Sequence, residues 1–158
     1  MFVLKLKLKN PKVVIITALS VLTAIIFITV FLTNADFTPQ KNSATSDEIE
    51  EYSLRAETAS QRTEFFEQLG IKAEMDTEVS DSVQIPCVFN DTYNKYNEIQ
   101  RKIGLDLQPY KGKNAERFTY RISDSENYAV ILVYKGNVIA GHITSGLWGS
   151  ENQPLIDS

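Results

Sequence analysis

Tyr128-Ala129-Val130-Ile131-Leu132-Val133-Tyr134 decides the fold. It is apolar on both alternating faces, which in an antiparallel sheet marks an inner strand covered on two sides. Upstream, across the polar turn Asp124 to Asn127, Phe118, Tyr120 and Ile122 alternate with Arg117, Thr119 and Arg121. Downstream, Gly136-Asn137 has the composition of a two-residue hairpin loop leading into Val138 to Thr144. Three consecutive antiparallel strands are expected, with Tyr128 to Tyr134 in the middle.

Further toward the N-terminus, Thr58-Ala-Ser-Gln61 matches a capping box, so a helix is predicted with Phe65, Phe66 and Leu69 as its apolar stripe and Gly70 as its stop. Ile71 to Val79 alternates apolar with charged residues and reads as a strand. After Pro86, Asn90 or Asp91 caps a second helix that carries Tyr93, Tyr96, Ile99 and Ile103 and closes at Gly104. Leu105 to Lys113, with Pro109 and Gly112, reads as an anchored loop. The sum is an α+β domain, two helices packed on one face of an antiparallel sheet, over residues 58–145. Residues 146–158 read as a C-terminal tail.

The first third of the chain has a different chemistry. Val13 through Leu32 contains no charge, Gly or Pro, and about 20 such residues suffice for a helix to cross roughly 30 Å of hydrocarbon. Lys5, Lys7, Lys9 and Lys12 precede this run, while the acids begin at Asp36 and gather at Asp47, Glu48, Glu50 and Glu51. The expectation is a cytoplasmic basic tail (1–12), a transmembrane helix (13–32) and a polar tether (33–57), with the domain outside the cytoplasm. The competing reading is a secretory signal cleaved near Thr33-Asn34-Ala35, but signal cores usually run about 7 to 15 apolar residues and this run is longer.

Without its four N-terminal lysines the chain has 12 basic against 20 acidic residues, a net of −8, which disfavours nucleic acid as a partner. One cysteine, Cys87, allows no internal disulfide. The expected partners are the lipid bilayer and an envelope protein or ligand.

Taken together, Arg62-Thr-Glu-Phe65 running into Leu69-Gly70, Ile85-Pro86 ahead of Tyr93 and Tyr96-Asn97, Gly104 through Tyr110-Lys-Gly112, Thr119-Tyr120 and Leu132-Val-Tyr134-Lys-Gly136 carry a resemblance. In that order they resemble a family of short anchored bacterial proteins, domain of unknown function 4830. The resemblance implies a cell-envelope protein with an N-terminal span and a small α+β outer domain, and brings no activity, ligand or catalytic residue with it. The ending Ser145-Gly-Leu-Trp148-Gly-Ser departs from the Asp-Gly-Phe-like pattern of that family.

Candidate sites are few. Cys87 and His142 are the single members of their types, a thiolate–imidazole pairing being one route to a nucleophile; the blander account is a small residue beside Pro86 and a lone histidine. Asp76, Glu78 and Asp81 lack the spacing of a calcium loop, and no Cys or His spacing fits zinc. No metal, cofactor or catalytic constellation is therefore expected. Asn90-Asp91-Thr92 matches a glycosylation sequon, for which helix capping is the simpler account. Ser20 and Ala24 have the spacing that lets helices approach in lipid. Arg117 and Arg121 share one sheet face, and Trp148 follows the last strand, so these three are the candidate ligand-binding residues. A binding domain is favoured over the alternatives, a cell-envelope enzyme of unknown reaction or a secreted domain released by signal cleavage.

Overall fold

The computed structural model describes residues 11–34, 36, 38–147 and 149–156, and the chain divides into two units, Met1–Phe37 and Thr38–Ser158. In the first, helix α1 runs from Pro11 to Asn34. Its side chains are described at Thr17 and from Leu19 to Val30, all exposed, and among the described residues no helix is long and apolar enough to cross a membrane. The apolar run Val13 to Leu32 extends beyond these side chains at both ends.

The second unit is α+β. It contains a small antiparallel pair, β1 (Ser43–Ala44) with β2 (Tyr52–Ser53), and a four-stranded antiparallel sheet of β3 (Ala73–Gln84), β4 (Asn114–Ile122), β5 (Tyr128–Tyr134) and β6 (Asn137–Thr144) in that spatial order. Two helices, α2 (Ala59–Gln68) and α3 (Asp91–Lys102), and a 3-10 turn at Gln108–Tyr110 complete it.

Local chemistry explains the helix boundaries. Thr58 Oγ1 accepts the Gln61 N–H at 3.3 Å and Gln61 Oε1 accepts the Thr58 N–H at 3.3 Å, the reciprocal capping box expected from the sequence. Asn90, rather than Asp91, caps α3 by accepting the Tyr93 N–H at 2.9 Å. Asp91 in the first turn and Arg101 and Lys102 in the last turn then complement the helix dipole. Gly104 ends this segment with φ +74, and a Cβ there would run into the Thr45 carbonyl.

The β5–β6 hairpin turns one residue earlier than the composition suggests. Tyr134 pairs with Asn137, and Lys135 (φ 49) and Gly136 (φ 79) form the loop. Positive φ at both central positions matches the right-handed twist of the strands, and Gly at the second is what that turn favours.

The two helices do not share a face, which corrects the expected one-sided layer. On β5, Ala129, Ile131 and Val133 pack with Phe65 and Phe66 of α2, while Leu132 and Tyr134 pack with Tyr93 and Tyr96 of α3. Because successive strand residues point to opposite sides, α2 and α3 cover opposite faces. The doubly apolar strand that made β5 central thus takes a helix on each side.

Strand β3 also differs from expectation, beginning at Ala73 and continuing to Gln84. Its register against β4 shifts between Glu74 and Val79. There Thr77 Oγ1 accepts the Arg121 N–H at 2.9 Å and donates to the Glu74 carbonyl at 2.6 Å, so a hydroxyl replaces part of the ladder.

The segment read as a tether contributes four residues to the core and pairs its backbone with the last hairpin. Ala44, Tyr52, Leu54 and Ala56 are buried, Val138 N–H donates to Leu54 O at 2.7 Å, and Ala56 N–H donates to Gly136 O at 2.8 Å. Tyr52 donates its hydroxyl to the Ile103 carbonyl. The segment read as a tail is likewise held, since Ile143 and Gln153 exchange both backbone hydrogen bonds at 2.9 Å and Leu155 and Ile156 are buried. Four buried apolar residues in 38–57 and two in the tail suffice because backbone hydrogen bonds to β6 and its hairpin turn supply the rest.

Candidate functional site

Two arginines divide the chemistry of the sheet. On the face covered by α2, Arg62 is buried; its guanidinium donates to Glu78 (3.0–3.3 Å), to the Tyr120 hydroxyl (2.8 Å) and to the carbonyls of Ala56 (3.1 Å) and Glu57 (3.2 Å). Its Cζ lies over the Phe118 ring, 4.1 Å from the centroid. Tyr120 completes the network by donating to Glu78. Burial, with the Glu78 carboxylate beside it, raises the Tyr120 phenol well above its usual range. Every donor is used, so this network fixes α2, β3 and β4 together and leaves nothing for a ligand.

On the opposite face α3 covers only part of the sheet. The open part is lined by Arg117 and Thr119 of β4, Tyr128 and Val130 of β5, His142 and Thr144 of β6, and Gly146 just beyond, forming a groove of about 390 Å³. Register puts them together: Thr119 lies opposite Val130, Val130 opposite His142, and Tyr128 opposite Thr144. At the β3 side, Arg117 and its cross-strand neighbour Asp81 make a fork-to-fork ion pair, Nε–Oδ1 2.8 Å and Nη2–Oδ2 2.6 Å. Both side chains remain nearly half exposed.

His142 Nδ1 lies 2.9 Å from the Tyr96 hydroxyl of α3, the rings meeting edge-on. Burial drives the Tyr96 phenol far up, so it stays protonated. Burial first, and the Arg117 charge second, lower His142 to about 4, so the imidazole is neutral at pH 7. The phenol engages Nδ1, which leaves Nε2 as the second polar atom of the neutral ring, donor or acceptor according to the tautomer. A half-covered histidine thereby offers the groove one ring nitrogen and no charge.

The other candidates from the sequence are dispersed. Arg121 stands 3.9 Å from Glu74 Oε2 and does not line the groove. Trp148 lies outside the described residues. Cys87 is exposed beside Gly112, whereas His142 is held by Tyr96, so they form no thiol–imidazole pair. Glu78 and Asp81 are each engaged by an arginine, and among the described residues no group of three His, Cys, Asp or Glu is disposed to hold a metal. Asn90 serves as the α3 cap.

Several groove residues were not legible as a site. Thr119, Tyr128, Val130 and Thr144 look like ordinary strand residues, and their one signal is a shared face, readable only once the register of three strands is known. Tyr96 is on the predicted stripe of α3, but its hydrogen bond to His142 spans 46 positions.

No curated protein and no solved structure matches the chain. A family model does match, over residues 65–143, half of the chain, from Phe65 within α2 to Ile143, one residue short of the end of β6, and including all but the last two groove residues. On that match the chain belongs to the family described as Domain of unknown function (DUF4830).

Proposed function

We propose that this is a bacterial single-pass membrane protein, its N-terminus in the cytoplasm, whose α+β domain binds a protein or cell-envelope ligand outside the cytoplasm through the open half of the sheet. The observation that carries the binding reading is the groove itself: Arg117, Thr119, Tyr128 and His142 converge over the apolar Val130 on a face that α3 leaves uncovered. Specific sites commonly combine an apolar floor with a few convergent polar groups.

The membrane reading is supported by the uncharged run Val13 to Leu32 and by the lysines before it. Within that run, Ser20, Thr23 and Thr29 donate their hydroxyls to carbonyls of Thr17, Ser20 and Ile25 at 2.8–2.9 Å. Such back-bonding lets a hydroxyl exist in hydrocarbon without an external partner.

Two experiments test these parts separately. Protease added to intact spheroplasts is expected to digest the chain beyond Thr38; protection until lysis contradicts the orientation. Crosslinking in cells is expected to capture a specific partner that the Arg117→Glu variant loses; capture unaffected by that substitution moves binding off the groove.

A further inference from the structure

The groove is rich in donors and nearly devoid of net charge. Asp81 occupies the Nε and Nη2 edge of Arg117, leaving Nη1 directed elsewhere. His142 contributes a ring nitrogen, and Thr119, Tyr128 and Thr144 contribute hydroxyls, all of which can donate or accept. The Gly146 N–H already occupies one acceptor position of Thr144 at 3.3 Å. The floor is Val130, and two of the exposed large apolar residues of the domain flank it: Val79, cross-strand neighbour of Thr119 and 65% exposed, and Leu147, next to Gly146 and 74% exposed.

Three features narrow the occupant. Because Arg117 is already compensated by Asp81, and residues 13–158 carry a net charge of −8, an anionic group gains little by entering. The ligand needs acceptor oxygens rather than charge. Of the strands beneath the groove, β4 and β5 are inner strands and the outer edge of β6 is already engaged by the Leu54 carbonyl, the Gln100 side chain and Gln153, so an extended peptide finds no free backbone edge to extend. Finally, hydroxyls arrayed around one partly exposed tyrosine ring and one valine suit a compact ring with its own hydroxyls and a small apolar substituent.

We propose that the groove is a saccharide site for a neutral N-acylated amino sugar, whose amide oxygen meets Arg117 and His142, whose acyl group rests on Val130 and whose ring hydroxyls meet Thr119, Tyr128 and Thr144. The volume of about 390 Å³ lies near the lower end of the roughly 300–1,000 Å³ typical of ligand sites, which fits one or two sugar rings. This assignment rests on the reading of the groove as a binding surface.

The test is a titration of the full-length ¹⁵N-labelled protein in detergent micelles with the N-acetylglucosamine trimer, following the His142 imidazole and the backbone amides of β4 to β6. Saturable shifts at Val130, His142 and Thr144 are expected, weakened at least tenfold by Arg117→Ala and by Thr119→Val, with the remainder of each variant's spectrum unchanged. The glucose trimer, which lacks the acyl group, is expected to bind at least tenfold more weakly. Equal shifts with both sugars, or none with either, overturn the proposal. If benzoate or an acetylated alanine tripeptide saturates these same resonances while the sugar does not, the sugar assignment falls but the groove stands as a binding surface. If crosslinked partners map away from the groove and no probe moves it, both readings fall.

Discussion

Glu78 and Asp81 of β3 each pair with an arginine, Arg62 of α2 on one face of the sheet and Arg117 of β4 on the other, and the two pairs are built for opposite ends. Arg62 and Glu78 sit under α2 with side-chain exposures of 8% and 29%, and the guanidinium is saturated by carboxylate, phenol and two carbonyls. Arg117 and Asp81 stand at 45% and 47%, on the face that α3 leaves half open. Burial turns the first pair into a clasp whose partners cannot be lost separately, since a charge left alone in the interior has no water to answer it. Exposure makes the second nearly neutral for folding, because water competes for both ions. The lesson is that two carboxylates of one strand, each held by an arginine, acquire different roles from what covers them. Cover is set by which helix packs on which side.

The consequences can be ranked. Arg62→Ala is expected to cost about 3 kcal/mol in urea unfolding, the lower part of the range for breaking a buried pair, because Glu78 retains some access to water. A loss under about 1 kcal/mol would make the two faces equivalent.

Acid is expected to act next, through His142. Its folded-state pKa is depressed from 6.5 to about 4, so its contribution is fully present above pH 6.5 and is lost as pH falls toward 4, on the order of 2–3 kcal/mol. Replacing it, as His142→Asn, is expected to flatten the stability profile in that window. Asp106 contributes separately: although burial opposes it, hydrogen bonds from Asn97 and Gln108 and the Arg101 charge hold its carboxyl below 3.8, so its loss comes at lower pH. A profile unchanged by His142→Asn would show that the imidazole is not desolvated.

Arg117→Ala is expected to change stability by less than about 1 kcal/mol while weakening groove binding at least tenfold. Smallest of all, Cys87→Ala is expected to stay within about 0.5 kcal/mol by thermal melting, since the thiol is exposed. A large loss there would point to chemistry at Cys87 that its surroundings do not suggest.

Much of the sheet could be read in the chain because local signals agree with tertiary ones. The apolar run Tyr128 to Tyr134, the Thr58–Gln61 box and the stop at Gly104 each state their structure within a few residues. What escaped was carried by polar groups acting at long range. Asn97 and Gln100 are the buried residues of α3, where the predicted stripe was aromatic and aliphatic. Asn97 accepts the Leu107 N–H at 2.7 Å and donates to Asp106 at 2.8 Å, and Gln100 accepts the Gly141 N–H from the β6 edge at 2.7 Å. A polar side chain that replaces a neighbouring strand's hydrogen bond looks, in sequence, like a solvated one. The same reason hid the packing of 38–57 and of 149–156, where short apolar stretches gain their place from pairing to β6. Of the candidate site, Arg117 was legible as a ligand-binding residue and His142 only as a lone histidine weighed as a partner of Cys87. The site's remaining residues are assembled by register, and Tyr96 by a helix packed on the face opposite α2.

The most direct measurement is a pair of double-mutant cycles on unfolding free energy, one on Arg62 and Glu78, one on Arg117 and Asp81. Coupling of about 2 kcal/mol or more is expected for the buried pair and below about 1 kcal/mol for the exposed pair, leaving Arg117 free for recognition rather than folding. Equal couplings, or the larger one at Arg117–Asp81, would contradict the division of the sheet into a face that holds the fold and a face that binds.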